Sequence, residues 1–397
     1  AIGRMYQIAE SNDGALFYSD YQEIRQGKKI HHPTLEYQTG SIRNDFDFGQ
    51  LLLFRNDSFQ QVVAQMNTDY RFAALYELRL SISRLGKIVH IPETLYTVQP
   101  TDLRLSGEKQ FDYVDPANRE VQLEMEAVCT AHLQAIGAWL APEFQRIDFG
   151  QENFAREASV IIPVRNRKRT IAEAVESALQ QQTDFSFNVI VVDNHSTDGT
   201  GQILTELSRR YPNLIHHIPA STELGIGGCW TEAILLPECG KFAIQLDSDD
   251  LYKDCHVLQR IVDTFYQENC AMVIGSYQMV DFKLEEIPPG LIAHREWTPD
   301  NGRNNALRIN GLGAPRAFYT PVLRQIKFPN VSYGEDYATA LAISRKYPIA
   351  RIYDPLYLCR RWEENSDHDL DIQQLNNYNF YKDKIRTLEI QARISGK

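Results

Sequence analysis

The sequence predicts an α/β fold over residues 153–397, with a Rossmann-like, mostly parallel mixed sheet that is flanked by helices. Two observations predict it. Short runs rich in Val and Ile alternate with segments of helix length, and two of these runs end in acidic turns, at Asp193 and at Asp247 with Asp249. Such runs are typical of buried parallel strands, and their alternation with helices is typical of a parallel sheet. Because ligands of open α/β sheets bind at the carboxyl ends of the strands, these turns are the candidate site.

The individual elements follow from the position of each apolar run and from the amphipathic stretch after it. Strands are predicted at 158–163, 188–192, 214–218 and 241–246, and helices at about 168–182, 199–210 and 227–236. Residues 106–152 predict a helical connector, because apolar residues from Val121 to Ile136 recur at three- and four-residue spacing. Residues 1–105 contain short α+β pieces, including a predicted helix over 69–85.

Length, charge and cysteine content limit the class of protein. The chain has 397 residues and a net charge of −11, and it contains no basic block, which excludes a nucleic-acid backbone as a partner. No apolar run approaches the roughly 20 residues of a membrane span. The six cysteines show no metal-type clustering, so we expect a cytoplasmic protein. The sequence has no signal-peptide pattern and no initiator Met, which leaves open that it is part of a longer protein.

Six short motifs occur in a fixed order at domain-scale spacing. They are VIIPVRN (160–166), VVDNHSTDGT (191–200), ELGIGGCW (223–230), LDSDD (246–250), GEDYA (334–338) and CRRWEENS (359–366). In this order the chain resembles the family 2 glycosyltransferases. The resemblance implies the GT-A fold and an inverting transfer of sugar from a nucleotide-diphosphate sugar to a hydroxyl group. It favours UDP as the nucleotide.

The resemblance also implies which residues bind the donor. Asp249 and Asp247 match the metal-binding DxD motif, and carboxylates on a loop suit Mg²⁺ or Mn²⁺ carrying a phosphate. The other implied nucleotide-sugar contacts are Pro163, Val164, Arg165, Asp193, Gly225, Ser248, Arg360 and Arg361. We expect Asp250 to begin the following helix or to lie near the sugar. The alternative for the acidic motif is an ordinary polar turn after a strand.

The acceptor side of the resemblance lies in the second half of the domain. Asp336 matches the general base, and Glu335 is expected to orient the acceptor. Gly311, Gly313 and Trp362 match acceptor-side positions. The alternative for the acidic pair is a helix N-terminus, which favours the same residue types.

Two departures from the family pattern weaken parts of this interpretation. Trp230 and Thr231 stand where the family usually has Arg-Asn after the glycines, so Gly225, Gly227 and Gly228 could instead serve tight packing. Trp362 stands where non-processive relatives often have His, and Leu358 replaces the Gln of processive enzymes. These departures keep two alternatives open, a sugar-nucleotide nucleotidyltransferase and a degenerate, non-catalytic glycan-binding or assembly module.

The two ends of the chain resemble each other. Residues 48–62 align with 313–326, and residues 69–96 align with 336–357. This similarity predicts that 1–105 is a partial, inactive second GT-A domain beside the catalytic domain of 153–397. FYSDY (17–21) would then lie opposite LDSDD (246–250), with Tyr18 replacing Asp247. The alternative is a chance similarity of helix-strand units.

The expected partners are a nucleotide-sugar donor and a glycan or lipid-linked glycan acceptor of a surface polysaccharide. Peripheral contact with the inner face of the membrane and a homo-oligomer are both compatible with the sequence.

Overall fold

The structure, a computed structural model, describes residues 1–67, 69–99, 118–150, 152–362 and 370–396. It divides into two compact units. The first contains Ala1–Ala141, Asn304–Asn310 and Asp369–Lys397, and the second contains Pro142–Arg303 and Gly311–His368. This division differs from the predicted boundaries, because a C-terminal segment groups with the N-terminal region rather than with the catalytic domain.

The first unit is built on a four-stranded sheet around one long central strand. Its elements are α1 (Ile2–Glu10), β1 (Leu16–Arg25), β2 (Lys28–His32), β3 (Leu53–Phe54), α2 (Asn56–Val63), α3 (Ala74–Leu85), β4 (Ile88–Val98) and α4 (Arg119–Ala135). Strand β1 pairs antiparallel with β2 and β3 and parallel with β4. Leu16 and Tyr18 on β1 are buried in an apolar cluster with Phe46 and Phe48.

The second unit contains a nine-stranded mixed sheet. Its strands are β5 (Ala158–Val164), β6 (Phe187–Asp193), β7 (Leu214–His217), β8 (Phe242–Gln245), β9 (Leu251–Tyr252), β10 (Met272–Val280), β11 (Glu286–Ile292), β12 (Arg316–Tyr319) and β13 (Ile349–Arg360). The order is β7-β6-β5-β8-β12-β10-β13-β9, with β11 paired to β10. Strands β5 to β8 are parallel, as predicted, and β12 runs antiparallel to both of its neighbours.

Seven helices accompany this sheet in the described residues, and the first three lie where the sequence predicts them. They are α5 (Ile171–Leu179), α6 (Thr200–Arg210), α7 (Ile226–Leu235), α8 (Val257–Glu268), α9 (Gly302–Asn305), α10 (Thr320–Ile326) and α11 (Glu335–Ser344). The apolar residues of β5, β6 and β8 are almost completely buried, which explains why these strands read as continuous Val and Ile runs.

A final helix, α12 (Ile372–Ile394), belongs to the first unit. It is held there by buried polar contacts rather than by an apolar face alone. Asp383 accepts a hydrogen bond from Ser41 Oγ at 2.9 Å, and Arg386 donates to the carbonyl oxygen of Ile309 at 2.9 Å. Among the described residues, no helix combines the length and apolar character that crossing a bilayer requires.

Several predictions for the first unit need correction. Helix α3 begins at Ala74 instead of residue 69, because the backbone N–H groups of residues 71–73 donate to the Glu124 carboxylate and close the helix start. The alignment of FYSDY with LDSDD is also wrong. FYSDY lies inside the central strand β1, whereas LDSDD follows the end of β8. The predicted start of the connector helix at Asp115 and Pro116 lies outside the described residues.

Candidate active site

The predicted donor side of the site begins at the carboxyl ends of β5 and β6. These strands pair in parallel, so that Val164 lies opposite Asp193 and Pro163 lies opposite Val192. Asp193 Oδ1 accepts a hydrogen bond from the Ser196 N–H at 2.9 Å, and Oδ2 lies 3.2 Å from His216 Nε2. Burial raises the pKa of Asp193, but the hydrogen bonds from His216 and Ser196 outweigh it and leave the pKa below its usual value.

Two residues of β13 hold the acidic turn after β8 in place through hydrogen bonds. The Asp247 N–H donates to Tyr357 Oη at 2.8 Å, and the Arg360 N–H donates to Asp250 Oδ1 at 2.8 Å. The Arg360 guanidinium, only 1% exposed, also bonds to the Asp249 carbonyl oxygen and to Glu173. Arg360 therefore supports the turn, and a direct contact of its guanidinium with the donor stays a prediction. Asp250 is followed by the short strand β9 and not by a helix.

Three carboxylates in this turn repel one another. Burial raises the pKa of Asp247, with the charge of Arg316 and a hydrogen bond from Gln245 opposing it. Burial and the charges of Asp249 and Asp247 hold the pKa of Asp250 well above its usual value. A cation at this turn would relieve the repulsion.

Trp362 lies on the donor side of the site. Its indole Nε1–H donates to Asp249 Oδ2 at 3.1 Å, and its ring packs edge-on against Phe282 with centroids 5.3 Å apart. The end of β13 thus brings the indole onto the acidic turn, and contact of Trp362 with an acceptor stays a prediction.

A cationic pocket of about 400 Å³ opens beside this tryptophan. It is lined by Asn166, Arg167, Lys168, Arg169, Asp198 and Trp362. Arg167 Nε lies 3.8 Å from Asp249 Oδ2, and the guanidinium carbons of Arg167 and Arg169 lie 5.7 and 5.4 Å from the Trp362 ring centroid. This pocket combines positive charge with an aromatic wall, next to the carboxylate that matches the metal ligand of the family. Such a lining suits a phosphate group.

The glycine-rich loop before α7 serves packing. The Gly225 N–H donates to Asn330 Oδ1 at 2.7 Å, and the Gly227 N–H donates to the Val331 carbonyl oxygen at 2.9 Å. A side chain on Gly227 would overlap the Pro329 carbonyl. The packing alternative for Gly225 is thus favoured, because the loop 329–332 already accepts hydrogen bonds from these N–H groups. Contact of Gly225 with a nucleotide-sugar stays a prediction.

The acceptor-side carboxylates stand at the start of α11. Gly334 adopts a left-handed conformation (φ 80°) that turns the chain into the helix at Glu335. Asp336 forms an ion pair with Arg316 on β12. Burial and the charge of Asp336 raise the pKa of Glu335 to about 8. The pair therefore combines an ionically paired carboxylate with one whose pKa is raised by burial and by its neighbour.

The remaining predicted residues are more dispersed. Arg165 is exposed at the end of β5. Ser248 is buried, and its carbonyl oxygen accepts from Thr170 Oγ1 at 2.9 Å. The Arg361 N–H donates to the Val280 carbonyl oxygen at 2.9 Å. Gly313 (φ 101°) is packed so closely that a Cβ would lie 2.9 Å from His294 Cδ2, and Gly311 precedes it at the beginning of the same second-unit segment.

Within the described ranges, no group of three or more His, Cys, Asp or Glu side chains is placed to hold a metal ion by itself. The carboxylates of Asp247 and Asp249 still fit a metal that arrives with its substrate. Mg²⁺ is usually held by one or two carboxylates together with substrate phosphates, and it keeps several waters.

Comparison with known proteins agrees with this geometry. Residues 159–326 match the family model described as "Glycosyl transferase family 2". Through this segment the chain is similar to glycosyltransferase family 2. The match and the mixed sheet confirm the predicted GT-A-type α/β fold of the second unit.

Three relatives illustrate the family 2 similarity. An uncharacterized glycosyltransferase of Nostoc sp. is 32% identical over 123 residues, which are 31% of this chain and 37% of the relative. A poly(ribitol-phosphate) beta-glucosyltransferase of Bacillus spizizenii is 24% identical over 230 residues, 56% of this chain and 35% of the relative. A putative teichuronic acid biosynthesis glycosyltransferase, TuaG of Bacillus subtilis, is 26% identical over 195 residues, 49% of this chain and 74% of the relative. The aligned part thus spans about a third of the length of the first two relatives.

Among solved structures, residues 1–349 of S. aureus TarS in complex with UDP-GlcNAc match at a TM-score of 0.46 and 24% identity, over 60% of this chain and 72% of that one. The mannosyltransferase PcManGT from Pyrobaculum calidifontis, in complex with GDP-Man and Mn²⁺, matches at a TM-score of 0.42 and 16% identity, over 70% and 84% of the two chains.

The structure adds residues that sequence reasoning missed. Gln245, Arg316 and Tyr357 touch the motif residues, and Arg167, Lys168 and Arg169 line the cationic pocket. The run RKR directly after VIIPVRN was a visible signal for the pocket. Arg316 and Tyr357 belong to no motif, and only the pairing of their strands brings them to the site.

Proposed function

We propose that this protein is an inverting, metal-assisted glycosyltransferase that moves a sugar from a nucleotide-diphosphate sugar to a hydroxyl of a glycan or glycolipid. One observation carries the proposal. The donor-side carboxylate of Asp247 and the acceptor-side carboxylate of Asp336 are connected through Gln245 and Arg316. Two carboxylate sites at the edge of one sheet suit a reaction in which one site holds the leaving group and the other activates the nucleophile.

The donor would lie across β5, β6 and the acidic turn. Asp193, with Pro163 and Val164 beside it on the neighbouring strand, would receive the base and ribose. The cationic pocket of Arg167, Lys168 and Arg169 would receive the diphosphate, because the positive charge that the family usually supplies after the glycines is absent here. UDP is the nucleotide that the family resemblance favours.

Asp249, together with Asp247, would hold Mg²⁺ or Mn²⁺ on the diphosphate. When bound, the metal would neutralise charge on the leaving group. Trp362 fixes the orientation of the Asp249 carboxylate through its N–H group, which prepares this oxygen-rich edge for the nucleotide.

The transfer itself is a single displacement. Asp336 accepts the proton of the acceptor hydroxyl while the hydroxyl oxygen forms a bond to the anomeric carbon. The bond from that carbon to the diphosphate breaks on the opposite face, and the nucleotide diphosphate leaves with the bonding electrons. Glu335, whose pKa is raised to about 8, can donate a hydrogen bond that orients the acceptor at neutral pH.

The acceptor class rests on the relatives. One is named a poly(ribitol-phosphate) beta-glucosyltransferase and another a putative teichuronic acid biosynthesis glycosyltransferase, which supports a surface polysaccharide or its lipid-linked precursor as the acceptor. Synthesis at the cytoplasmic face of a membrane would follow.

Calorimetric titration with UDP and GDP, with and without Mn²⁺, tests the proposal on the wild type and on Asp249→Ala. We expect one nucleotide to bind in a Mn²⁺-dependent manner and the variant to lose that binding. If the folded wild type binds neither nucleotide, the proposal fails and a non-catalytic module is favoured. Cleavage of a nucleoside triphosphate without sugar transfer would instead identify a nucleotidyltransferase.

A further inference from the structure

We propose that Arg316 is a positioning residue that holds the general base Asp336 in register with the donor-side turn. The inference rests on the proposed function, since it assigns a role in the same reaction. No sequence motif contains Arg316, and its role follows from the contacts of β12 in the middle of the sheet.

The first step concerns the backbone. Ala317 on β12 pairs with Ile244 on the antiparallel strand β8. Arg316, the residue before Ala317, therefore lies opposite Gln245, the residue after Ile244. The N–H and the Nε–H of Arg316 both donate to Gln245 Oε1, at 3.1 and 2.9 Å. The two bonds hold the backbone of Arg316 and the middle of its side chain in place, so that the Nη1 end of the guanidinium has a fixed orientation.

The second step concerns what lies at the two ends of this connection. Gln245 Nε2 donates to Asp247 Oδ1 at 2.9 Å, and Arg316 Nη1 pairs with Asp336 Oδ2. An unbroken chain of polar contacts therefore runs from Asp247 through Gln245 and Arg316 to Asp336. A shift of the acidic turn would be transmitted to the base by direct contact, without a change in the rest of the sheet.

The side chains that make these contacts are largely shielded from water. Gln245 is 3% exposed, and the side chains of Arg316 and Asp336 are 19% and 24% exposed. The glutamine is thus shielded from water that would compete for its hydrogen bonds. The carboxylate of Asp336 keeps enough exposure to meet an acceptor hydroxyl. A charge pair with little exposure is stronger than one at the open surface.

Acidic groups surround Arg316, and their negative charge favours a cation at this position. Burial lowers the pKa of Arg316, but the negative charges of Asp336, Asp247 and Glu335 outweigh it and raise the pKa. The other titratable groups near this cluster are Tyr357 and Arg351 on β13 and His294 after β11. Arg316 pairs directly with Asp336, and a neighbouring positive charge favours the ionised form that a general base needs.

The first unit offers an internal reference for this assignment. Phe54 pairs with Leu16 as Phe318 pairs with Met272, which makes Leu52 the counterpart of Arg316. The counterpart cannot form an ion pair. The arginine is therefore not a requirement of the strand arrangement itself, and its role belongs to the acidic site.

The test compares Arg316→Gln, which loses the charge, with Arg316→Lys, which keeps the charge but cannot serve Gln245 and Asp336 together. The matched control is Arg324→Gln on α10, where the guanidinium donates to the Ile234 carbonyl oxygen at 2.7 Å and pairs with Glu152 at 3.8 Å. The probes are UDP-glucose and UDP-N-acetylglucosamine with Mn²⁺. The readouts are donor hydrolysis as a function of pH and the affinity for UDP with Mn²⁺.

We expect Arg316→Gln to lower kcat roughly 100-fold, the scale of a small misplacement of a catalytic group. The acidic limb of its pH–rate profile should move up by about one pH unit, because the neighbouring positive charge is lost. Arg316→Lys should restore the position of the limb while kcat remains about tenfold reduced. Arg324→Gln should leave both readouts unchanged. If hydrolysis is too slow to measure, NMR titration of the Asp336 carboxyl group supplies the same midpoint.

A fall in rate without any movement of the acidic limb would overturn the inference, because a structural residue would act in that way. If Arg316→Gln does not fold, Arg316→Lys decides: a displaced limb despite the retained charge contradicts the proposal, and a retained limb with a reduced rate supports it. Failure of the wild type to bind either UDP or GDP would be a different result. It would overturn the proposed function, and this inference with it, before any variant is compared.

Discussion

The two sheets of this protein share one arrangement around their central strands but carry different chemistry. Strand β1 pairs antiparallel with β2 and β3 and parallel with β4. Strand β10 pairs in the same senses with β11, β12 and β13. The helices α2 and α3 follow β3 as α10 and α11 follow β12. Gly49 and Gly313 both have positive φ, 69° and 101°, before these equivalent strands.

Side chains at equivalent positions differ between the two sheets, and these differences distinguish the candidate site from the sheet of the first unit. Leu52 replaces Arg316, and α3 begins without an acidic pair like Glu335 and Asp336. In place of Ser276 on β10, β1 carries Asp20, which accepts hydrogen bonds from the N–H and Oγ1 of Thr34 and lies 2.8 Å from His90 Nε2. The strand arrangement is therefore compatible with more than one set of polar residues, and topology alone does not identify the active unit.

The largest expected effect separates the two acidic positions that the sequence alignment pairs. Asp336→Asn should lower the rate of sugar transfer or donor hydrolysis by roughly 10²- to 10⁴-fold, because it removes the proposed general base. Asp69→Asn, at the aligned position in the first unit, should leave the rate unchanged. Steady-state kinetics with UDP-glucose and UDP-N-acetylglucosamine would check both variants. A loss of similar size in Asp69→Asn would contradict the prediction that residues 1–105 are inactive.

The next effect concerns stability and pH. Burial raises the pKa of Asp20, but hydrogen bonds from His90 and Thr34 outweigh it and leave the pKa below its usual value. A lowered pKa means that the ionised carboxylate stabilises the folded state above the unfolded-state pKa of about 3.9, and that this stabilisation is lost as pH falls through the folded-state pKa. Asp20→Asn should therefore lower the free energy of unfolding by about 2 kcal/mol at pH 7 and by less near pH 3, below the unfolded-state pKa.

Urea denaturation at the two pH values measures this difference. Ser276→Ala is the matched control, because Ser276 occupies the equivalent position on β10 and donates to the Ile352 carbonyl oxygen at 2.8 Å. Its hydroxyl does not titrate in this range, so its effect should be the same at both pH values. A loss for Asp20→Asn that does not depend on pH would show that ionisation of Asp20 contributes nothing to stability.

The comparison also shows which parts of the fold and of the site could be predicted from the sequence. The parallel strands β5 to β8 were predictable because complete burial makes each a continuous run of apolar residues. The acidic residues at their ends were predictable for the same reason, since strand ends meet at one edge of the sheet. Helix α3 was misplaced, because its start depends on Glu124, more than 50 residues away.

Other features could not be read from the sequence in principle. Arg316 acts through a residue on a neighbouring strand, and the register that joins them is a property of the folded sheet. Arg360 was assigned to the donor because its motif suggested it, but its buried guanidinium supports the acidic turn. FYSDY resembles the acidic turn in letters, yet Tyr18 is buried within a strand. Local sequence patterns predicted which residues lie near the site. They did not predict which groups each side chain contacts.

The smallest expected effect comes from two tyrosines that occupy equivalent positions. Tyr96 pairs with Tyr21, and Tyr357 pairs with Tyr277. Both hydroxyl oxygens accept backbone N–H groups, but of different segments. Tyr96 Oη accepts from Gln50 and Leu51 at 2.8 and 3.3 Å, whereas Tyr357 Oη accepts from Asp247 at 2.8 Å. The same ring position thus anchors a structural loop in one sheet and the acidic turn in the other.

Removing each hydroxyl should separate stability from binding. Tyr96→Phe should lower the free energy of unfolding by about 1 kcal/mol, the size of one hydrogen bond, without changing the affinity for UDP with Mn²⁺. Tyr357→Phe should cost a similar amount and also weaken that affinity about fivefold, because the Asp247 N–H loses its partner and the acidic turn becomes less fixed. Denaturation and calorimetry on the same two samples would measure both quantities. Equal affinities in the two variants would mean that Tyr357 stabilises its sheet as Tyr96 does and that the orientation of the acidic turn does not depend on it.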